Sequence, residues 1–213
     1  MDGLIGMECS GRVRDAFRRR GHNFYSCDLK PCETNQELHI QGDVFETLNA
    51  SLALFKWWFL GFHPTCTYLC VSGIGAWNKK RPERAKKTEE SVEFVLRLVR
   101  WLEENKIPRW YIENPVGVLS TRWRKPDQII QPYQFGEDVS KQTCLWLHGL
   151  PLLQPTRYIE PRVEIYKGRE VKRWGNQSPC GADNKPPSDS RAADRSRTHQ
   201  GIANVMAEQW GVL

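Results

Sequence analysis

Cys66 follows a short apolar run, Trp57–Phe62, and the turn His63-Pro64-Thr65. A cysteine just past a buried parallel strand faces the crevice of an open sheet. Positive potential at a following helix N-terminus there lowers a thiol's pKa and favours thiolate. Glu113 stands 47 residues later (113 − 66), again closing an apolar run, Trp110–Ile112, and leading into Asn114-Pro115. In an open sheet two such strand ends can be neighbours, and a thiolate beside a carboxylic acid is a nucleophile with a proton donor. Taken singly, each residue has a plainer reading: a buried structural cysteine, and a solvated or capping acid.

A second set of acids and turns sits at other candidate strand ends: Glu8-Cys9-Ser10-Gly11, Asp28, and Gly42-Asp43-Val44. An acid closing the second strand of a doubly wound sheet is placed to bind ribose hydroxyls. No G-x-G-x-x-G turn is present, which disfavours a buried pyrophosphate and favours a nucleoside ligand without one. The seven cysteines are irregularly spaced and form no C-x-x-C pair, so no metal is expected. A zinc nucleobase deaminase also needs H-x-E and P-C-x-x-C, and the chain has neither.

The elements that position these residues follow from periodicity. Leu4–Met7 reads as a first strand, and Arg12–Arg20 as a helix with Val13, Ala16 and Phe17 on one face, Ser10 as N-cap and Gly21 as stop. Asn23–Cys27 reads as a second strand closing on Asp28. From Glu83 to Asn105, Val92, Val95, Leu96, Val99 and Leu102 recur at helical spacing, with Pro82 suited to the first helical position. Cys144–Leu147 is another short strand. A final helix over about 200–210 buries Ile202, Val205, Met206 and Trp210. Strands alternating with helices imply an α/β fold with a doubly wound, mostly parallel sheet.

The chain has 213 residues, enough for one domain, with 39% hydrophobic and 26% charged residues and a net charge of +6. The richest apolar stretch, Leu52–Phe62, is interrupted by Lys56 and is shorter than the ~20 residues of a membrane span. No export signal opens the chain, so a cytoplasmic protein with reduced thiols is expected. Composition changes near Pro161. From Lys167 to Gln200 there are eight basic and four acidic residues and three prolines. Disorder is the plainer reading of that stretch, and a loop tracking a phosphate backbone the sharper one. The expected organisation is a core over 1–150, a basic loop-rich region over 151–198, and a helix over 199–213 returning to the core.

These residues carry a resemblance. Met7-Glu8-Cys9-Ser10-Gly11, Asp28 and Gly42-Asp43-Val44 are similar to the three cofactor motifs of the DNA cytosine-5 methyltransferases; Thr65-Cys66 is similar to their Pro-Cys and Glu113-Asn114-Pro115 to their Glu-Asn-Val. The chain resembles the compact phage-type branch nearly end to end, through His39-Ile40-Gln41-Gly42, Trp123-Arg124-Lys125-Pro126-Asp127, Lys141-Gln142-Thr143-Cys144-Leu145-Trp146-Leu147 and Gly201-Ile202-Ala203. The resemblance implies a Rossmann-like class I fold and a monomer that uses S-adenosylmethionine. The donor would lie over Gly11, with Asp28 on its ribose and Asp43 at its adenine, and with further contacts from Glu8, Cys9, Ser10, Leu29, Val44, His63 and Asn204. Cys66 would add to carbon 6 of a flipped cytosine, Glu113 would serve ring nitrogen 3, and Asn114 would fix the loop or the base edge. Double-stranded DNA is the implied partner, contacted by Thr65, Lys141, Gln142, Thr143, Lys172, Arg173, Arg195 and Arg197.

Two departures stand out. Thr65 replaces the family's proline before the nucleophile, and the arginine-rich base-contact motif has no clear copy. Lys141-Gln142-Thr143 takes its place in order, with Arg122 or Arg124 as substitutes. The short 151–190 region implies low sequence specificity. The alternatives are an amino-methyltransferase of nucleic acid, a cofactor- or DNA-binding module without turnover, and an RNA or free-nucleotide acceptor.

Overall fold

Leu4 and Ile5 are adjacent in sequence, fully buried, and belong to different cores. The same holds for Phe59 against Leu60 and Phe62, Tyr111 against Trp110 and Ile112, and Leu145 against Cys144 and Trp146. Side chains alternate across a strand, so a run of apolar residues rather than an alternating one marks a sheet covered on both faces. In the computed structural model, which describes residues 1–70, 82–182, 194 and 196–213, that sheet has seven strands.

The strands are β1 (Asp2–Gly6), β2 (Asn23–Asp28), β3 (His39–Gln41), β4 (Phe59–Phe62), β5 (Trp110–Pro115), β6 (Gln128–Ile130) and β7 (Thr143–His148), in the order β3-β2-β1-β4-β5-β7-β6. Strands β1 to β5 pair in parallel, and β7 runs antiparallel between β5 and β6. Helices α1 (Arg12–Arg19) and α5 (Gln200–Trp210) bury Val13, Phe17, Ile202, Met206 and Trp210 on one face of the sheet. On the other face α2 (Val44–Ser51) and α3 (Pro82–Glu104) bury Leu48, Val92, Val95, Leu98 and Leu102. A one-turn helix α4 (Leu119–Arg122) follows β5.

Helix α3 begins at Pro82 and α5 covers the expected span. Leu98 is fully buried in α3 alongside Leu102, whereas Leu96 is only partly buried. Ser10 does not cap α1. The cap is Gly11 at φ 72°, and the Ser10 hydroxyl donates to Glu8 instead. The helix ends as expected, with Gly21 at φ 84° just beyond it.

The 151–198 region contains order that composition does not suggest. Strands β8 (Arg162–Tyr166) and β9 (Arg169–Arg173) form a hairpin separate from the main sheet. Its turn, Lys167 at φ 51° and Gly168 at φ 74°, has the two positive φ angles whose twist suits a two-residue hairpin loop. The hairpin's base is fastened to the segment preceding β7. Trp174 stacks on Tyr133 at 4.3 Å, and Asn176 exchanges hydrogen bonds with the Ser140 backbone at 2.9 and 3.0 Å.

Among the described residues no helix is long and apolar enough to cross a membrane. No cluster of metal-ligating side chains is found there either. All seven cysteines are unpaired thiols.

Candidate active site

Strand order reverses between β1 and β4, with β2 and β3 continuing on one side and β5 on the other. Chain segments leaving the carboxyl ends of β1 and β4 diverge there and open a crevice, the place where doubly wound sheets bind ligands. A cavity of about 490 Å³ occupies it, lined from β1 and β2 by Met7, Cys27, Asp28 and Leu29 and from the α2 entry by Gly42, Asp43 and Val44. Pro64, Thr65, Tyr68 and Leu69 after β4, and Lys87, Glu90, Ser91 and Phe94 of α3, complete the wall.

Of the three carboxylates that line it, Asp28 and Asp43 each have one oxygen committed. Asp28 Oδ1 accepts from Lys30 N at 2.9 Å, and Asp43 Oδ1 caps α2 by accepting from Phe45 N and Glu46 N at 2.8 and 3.1 Å. The lining therefore includes Asp28, Leu29, Asp43, Val44 and Thr65 of the residues expected from sequence. The α3 residues and Tyr68 carry no motif and are legible only once the helix is packed.

Glu8, Cys9, Ser10 and Gly11 form the turn after β1 but do not line this cavity. Glu8 is 5% exposed. It accepts from Ser10 and from Arg12 N at 3.2 Å through one oxygen, while its other oxygen is buried without a partner. Burial pushes its carboxyl up to about 7. The Cys9 thiol is raised by burial and then by Asp28. The side of Gly11 that a Cβ would fill is taken by Thr34 Oγ1 and the Arg14 guanidinium.

His63 and Asn204 are placed differently from their expected contact with a cofactor. The His63 imidazole bridges Tyr111 Oη at 2.7 Å and Thr198 Oγ1 at 3.1 Å, and burial holds it down at about 3, so both nitrogens serve the fold. Asn204 lies exposed on α5 and accepts from Arg19 and Gln200.

The second half of the site lies beside the cavity. Phe62 pairs with Ile112, so the chain leaving β4 runs alongside Glu113, and Asn114 Nδ2 donates to Pro64 O at 2.7 Å. That bond fixes the loop whose single 3₁₀ turn, Cys66–Tyr68, opens with the half-buried Cys66. Gly117 closes the same corner. A Cβ there would lie 1.8 Å from Leu69 O, so only glycine permits the two loops to touch.

Cys66 and Glu113 are close enough for each to feel Lys141. Burial raises the Cys66 thiol, with Cys70 and Glu113 adding to it and Lys141 opposing. The expected thiolate-favouring field of a helix N-terminus is thus outweighed by burial. Burial also raises Glu113, against Lys141 and His199, which favours the protonated carboxyl.

Thr65 resolves one of the two departures. At φ −53° it adopts the backbone angle a proline would impose, and its N–H makes no hydrogen bond among the described residues.

The arginine substitutes are engaged elsewhere. Arg122 holds Glu89 of α3 through both terminal nitrogens, and Arg124 pairs with Asp127 at 2.8 Å and lies over Trp123. Lys141 reaches the site, Thr143 is buried in β7 beside Pro115, and Gln142 is exposed. Lys172 and Arg173 are on β9; Arg197 is bound by Glu33 and Asp194; Arg195 lies outside the described residues. Sequence reasoning passed over Tyr111, Glu137, Thr198 and His199, which no local pattern singles out.

No protein-family model and no curated protein matches the chain. Among solved structures it is similar, at a TM-score of 0.51 and 12% identity, to a crystal structure from E. coli described as a "putative DNA modification methyltransferase encoded within prophage Cp-". The match covers 75% of this chain and 52% of that one, so the chain spans about half the length of that protein. At this identity the likeness is one of architecture. Together with the strand order, the reversed β7 and the helices on both faces, it makes this a Rossmann-like fold of the class I methyltransferase kind.

Proposed function

We propose that the chain is an S-adenosylmethionine-dependent DNA cytosine-5 methyltransferase with Cys66 as nucleophile. The observation that carries this reading is the convergence of Cys66 and Glu113, whose carboxyl burial raises, on neighbouring strands beside the switch-point cavity.

The residues present suit the donor. The cavity falls within the ~300–1,000 Å³ typical of small-molecule sites. Asp28 and Asp43 each keep one oxygen for a ribose hydroxyl or an adenine amine, between the apolar Leu29, Leu69 and Phe94. Next to this wall, the orphaned oxygen of Glu8 suits an ammonium group. When bound, the donor supplies an electrophilic methyl group.

The chain's own residues do the rest. Carbon 5 of cytosine is a weak nucleophile until the Cys66 sulfur, its proton released to solvent, bonds to carbon 6, which shifts the ring's electrons towards carbon 5 and nitrogen 3. Glu113 gives its proton to nitrogen 3 as that charge develops. Carbon 5 then bonds to the methyl group as the methyl–sulfur bond of the donor breaks, and its hydrogen leaves as a proton to water. The carbon–carbon double bond re-forms, the carbon–sulfur bond breaks, and the nitrogen 3 proton returns to Glu113. Asn114 holds the nucleophile loop through Pro64.

The target base must leave the duplex, which costs a few kcal/mol. The β8–β9 hairpin, with Lys172 and Arg173, offsets this through phosphate contacts, and a two-stranded ribbon has the width of a major groove. We assign residues 151–198 to this role, with a very short recognition sequence. Bisulfite sequencing of DNA from an expressing host that revealed one long methylated motif would contradict the last point.

Covalent trapping tests the whole reading. Protein, S-adenosylmethionine and DNA containing 5-fluorocytosine should give a denaturation-resistant adduct by intact mass, absent with Cys66→Ser, because fluorine at carbon 5 blocks elimination. Cofactor and DNA binding without an adduct would favour a binding module or another acceptor.

A further inference from the structure

The β8–β9 ribbon is built inside out. Alternation along each strand and direct opposition across the pair put Arg162, Glu164, Tyr166, Arg169, Val171 and Arg173 on one face. Val163, Ile165, Glu170 and Lys172 share the other. On the first face the arginines hold the chain that follows the ribbon. Arg162 donates to Trp174 O at 2.6 Å and to Gln177 O and pairs with Glu164, while Arg173 donates to Pro179 O at 3.0 Å. Glu164, Tyr166, Val171 and Arg173 are half-buried as a result. The second face is open to solvent, and it carries the aliphatic side chains: Val163 is 60% exposed and Ile165 67%.

A single exposed aliphatic residue is ordinary on a protein surface. Here two β-branched side chains stand side by side at i and i+2 while charged ones lie beneath them. Two such side chains fall far short of the ~800 Å² per partner that a stable protein interface buries. The ribbon's charge points to a different occupant. Residues 162–173 hold five basic and two acidic side chains, and Lys172 lies directly across from Val163. Small apolar tips on a cationic ribbon match a surface that is anionic along its edges and shows isolated methyl groups between them. In the major groove of duplex DNA those are the phosphates and the C5-methyl groups of thymine.

The ribbon is also fastened at the right end of the sheet. Gly175 N donates to Asp138 Oδ1 at 2.8 Å, and Asn176 is bonded to the Ser140 backbone. Strand β7 begins just beyond, with Thr143 opposite Pro115 and Cys144 opposite Asn114. The base of the ribbon is thus anchored beside the strand end that carries Glu113 and Asn114. Each five-residue strand is about 17 Å long, and Val163 and Ile165 are about 7 Å apart, roughly two base-pair rises.

We propose that Val163 and Ile165 are specificity-determining residues that cover thymine methyl groups in the major groove beside the target base, with Lys172 on a flanking phosphate. This rests on duplex DNA being the substrate, and it gives the very short recognition sequence a preference for thymine next to the cytosine.

The test is competition binding of the full chain to two pools of genomic fragments, amplified with thymidine triphosphate or with deoxyuridine triphosphate. Uracil lacks only the C5-methyl group, and the pools contain every short sequence. The parent should bind the thymine pool more tightly, by about fourfold for each methyl group fully covered. Val163→Ser and Ile165→Ser should each reduce that preference, and the double variant should remove it while still binding S-adenosylmethionine. Lys172→Ala should weaken binding to both pools alike, keep the preference, and reduce the salt slope by about one. Equal affinity of the parent for the two pools would overturn the proposal and leave the phosphate role of the ribbon standing. A preference that survives in the double variant would belong to DNA shape and overturn it equally. No binding to either pool would reject the DNA reading along with it. Because binding needs no turnover, a thymine preference without a 5-fluorocytosine adduct would retain the ribbon's role and discard the cytosine reaction.

Discussion

Glu8 offers a direct way to measure what the turn after β1 holds in reserve. Its carboxyl goes from an ordinary 4.5 to about 7 on folding, chiefly through burial, against bonds from Ser10 and Arg12 N and the charge of Arg14. Below pH 4.5 the group is protonated in both the folded and unfolded chain and contributes nothing to pH dependence. Between 4.5 and about 7 the unfolded chain releases the proton first, so stability falls as pH rises; above about 7 the whole loss is in place. At 1.36 kcal/mol per unit the loss amounts to about 3 kcal/mol. Glu8→Gln retains a carbonyl oxygen for Ser10 and Arg12 N and removes the charge. The ligand-free variant should be more stable than the parent at pH 8 by up to about 3 kcal/mol, roughly 6–12 °C in melting temperature for a chain of this size. It should gain nothing at pH 4. Denaturant unfolding at several pH values reads this directly. The same substitution should weaken S-adenosylmethionine binding by calorimetry, since it removes the unpaired acceptor; stability would rise as affinity falls. A variant less stable than the parent at pH 8, or a parent whose stability does not fall between pH 5 and 7, would refute the buried-carboxylate argument.

Other substitutions probe the remaining parts. Thr65→Pro should fold normally and gain about 0.4–1 kcal/mol, because the native φ already matches and no N–H bond is lost; a large loss by denaturant unfolding would count against that geometry. Arg14 is fully buried, with its guanidinium bonded to Asp15, Ser26, Cys32, Thr34 and Asn35 O. Arg14→Met should cost about 3–5 kcal/mol and loosen the loop following Asp28, seen as faster amide exchange over 29–38. Gly117→Ala should abolish adduct formation while the sheet persists by circular dichroism, since the Cβ pushes Leu69 O and the Cys66 turn away from β5. Lys172→Glu with Arg173→Glu should weaken duplex binding and lower its salt dependence, with donor affinity unaffected.

Much of the architecture is local and therefore legible in the sequence. Runs such as Phe59–Phe62 and Trp110–Ile112 bury both faces of a strand, and a 3.6-residue period marks α3 and α5, because these patterns depend only on neighbouring residues. The acids at strand ends, the cysteine after β4 and the carboxyl towards the end of β5 follow from the same reasoning, since an open parallel sheet presents those ends to its crevice.

What tertiary structure alone decided is everything set by partners distant along the chain. Asn204 is expected at the cofactor yet lies on the outer face of α5, because helix rotation is fixed by the burial of Ile202, Val205 and Met206. Arg122 and Arg124 are near the site in sequence and are drawn off by Glu89 and Asp127. The stretch from Lys167 looks disordered by composition, yet its first residues pair with Arg162–Tyr166 around a Lys-Gly turn and are anchored by a Tyr133–Trp174 stack. Cys66 gains burial rather than a favourable helix field, and α5 can approach Phe135 only because Gly201 carries no side chain. Residue type and spacing determine which groups can do chemistry here. Which of them are buried, charged or facing one another depends on contacts spanning tens to more than a hundred residues, and no local pattern encodes those.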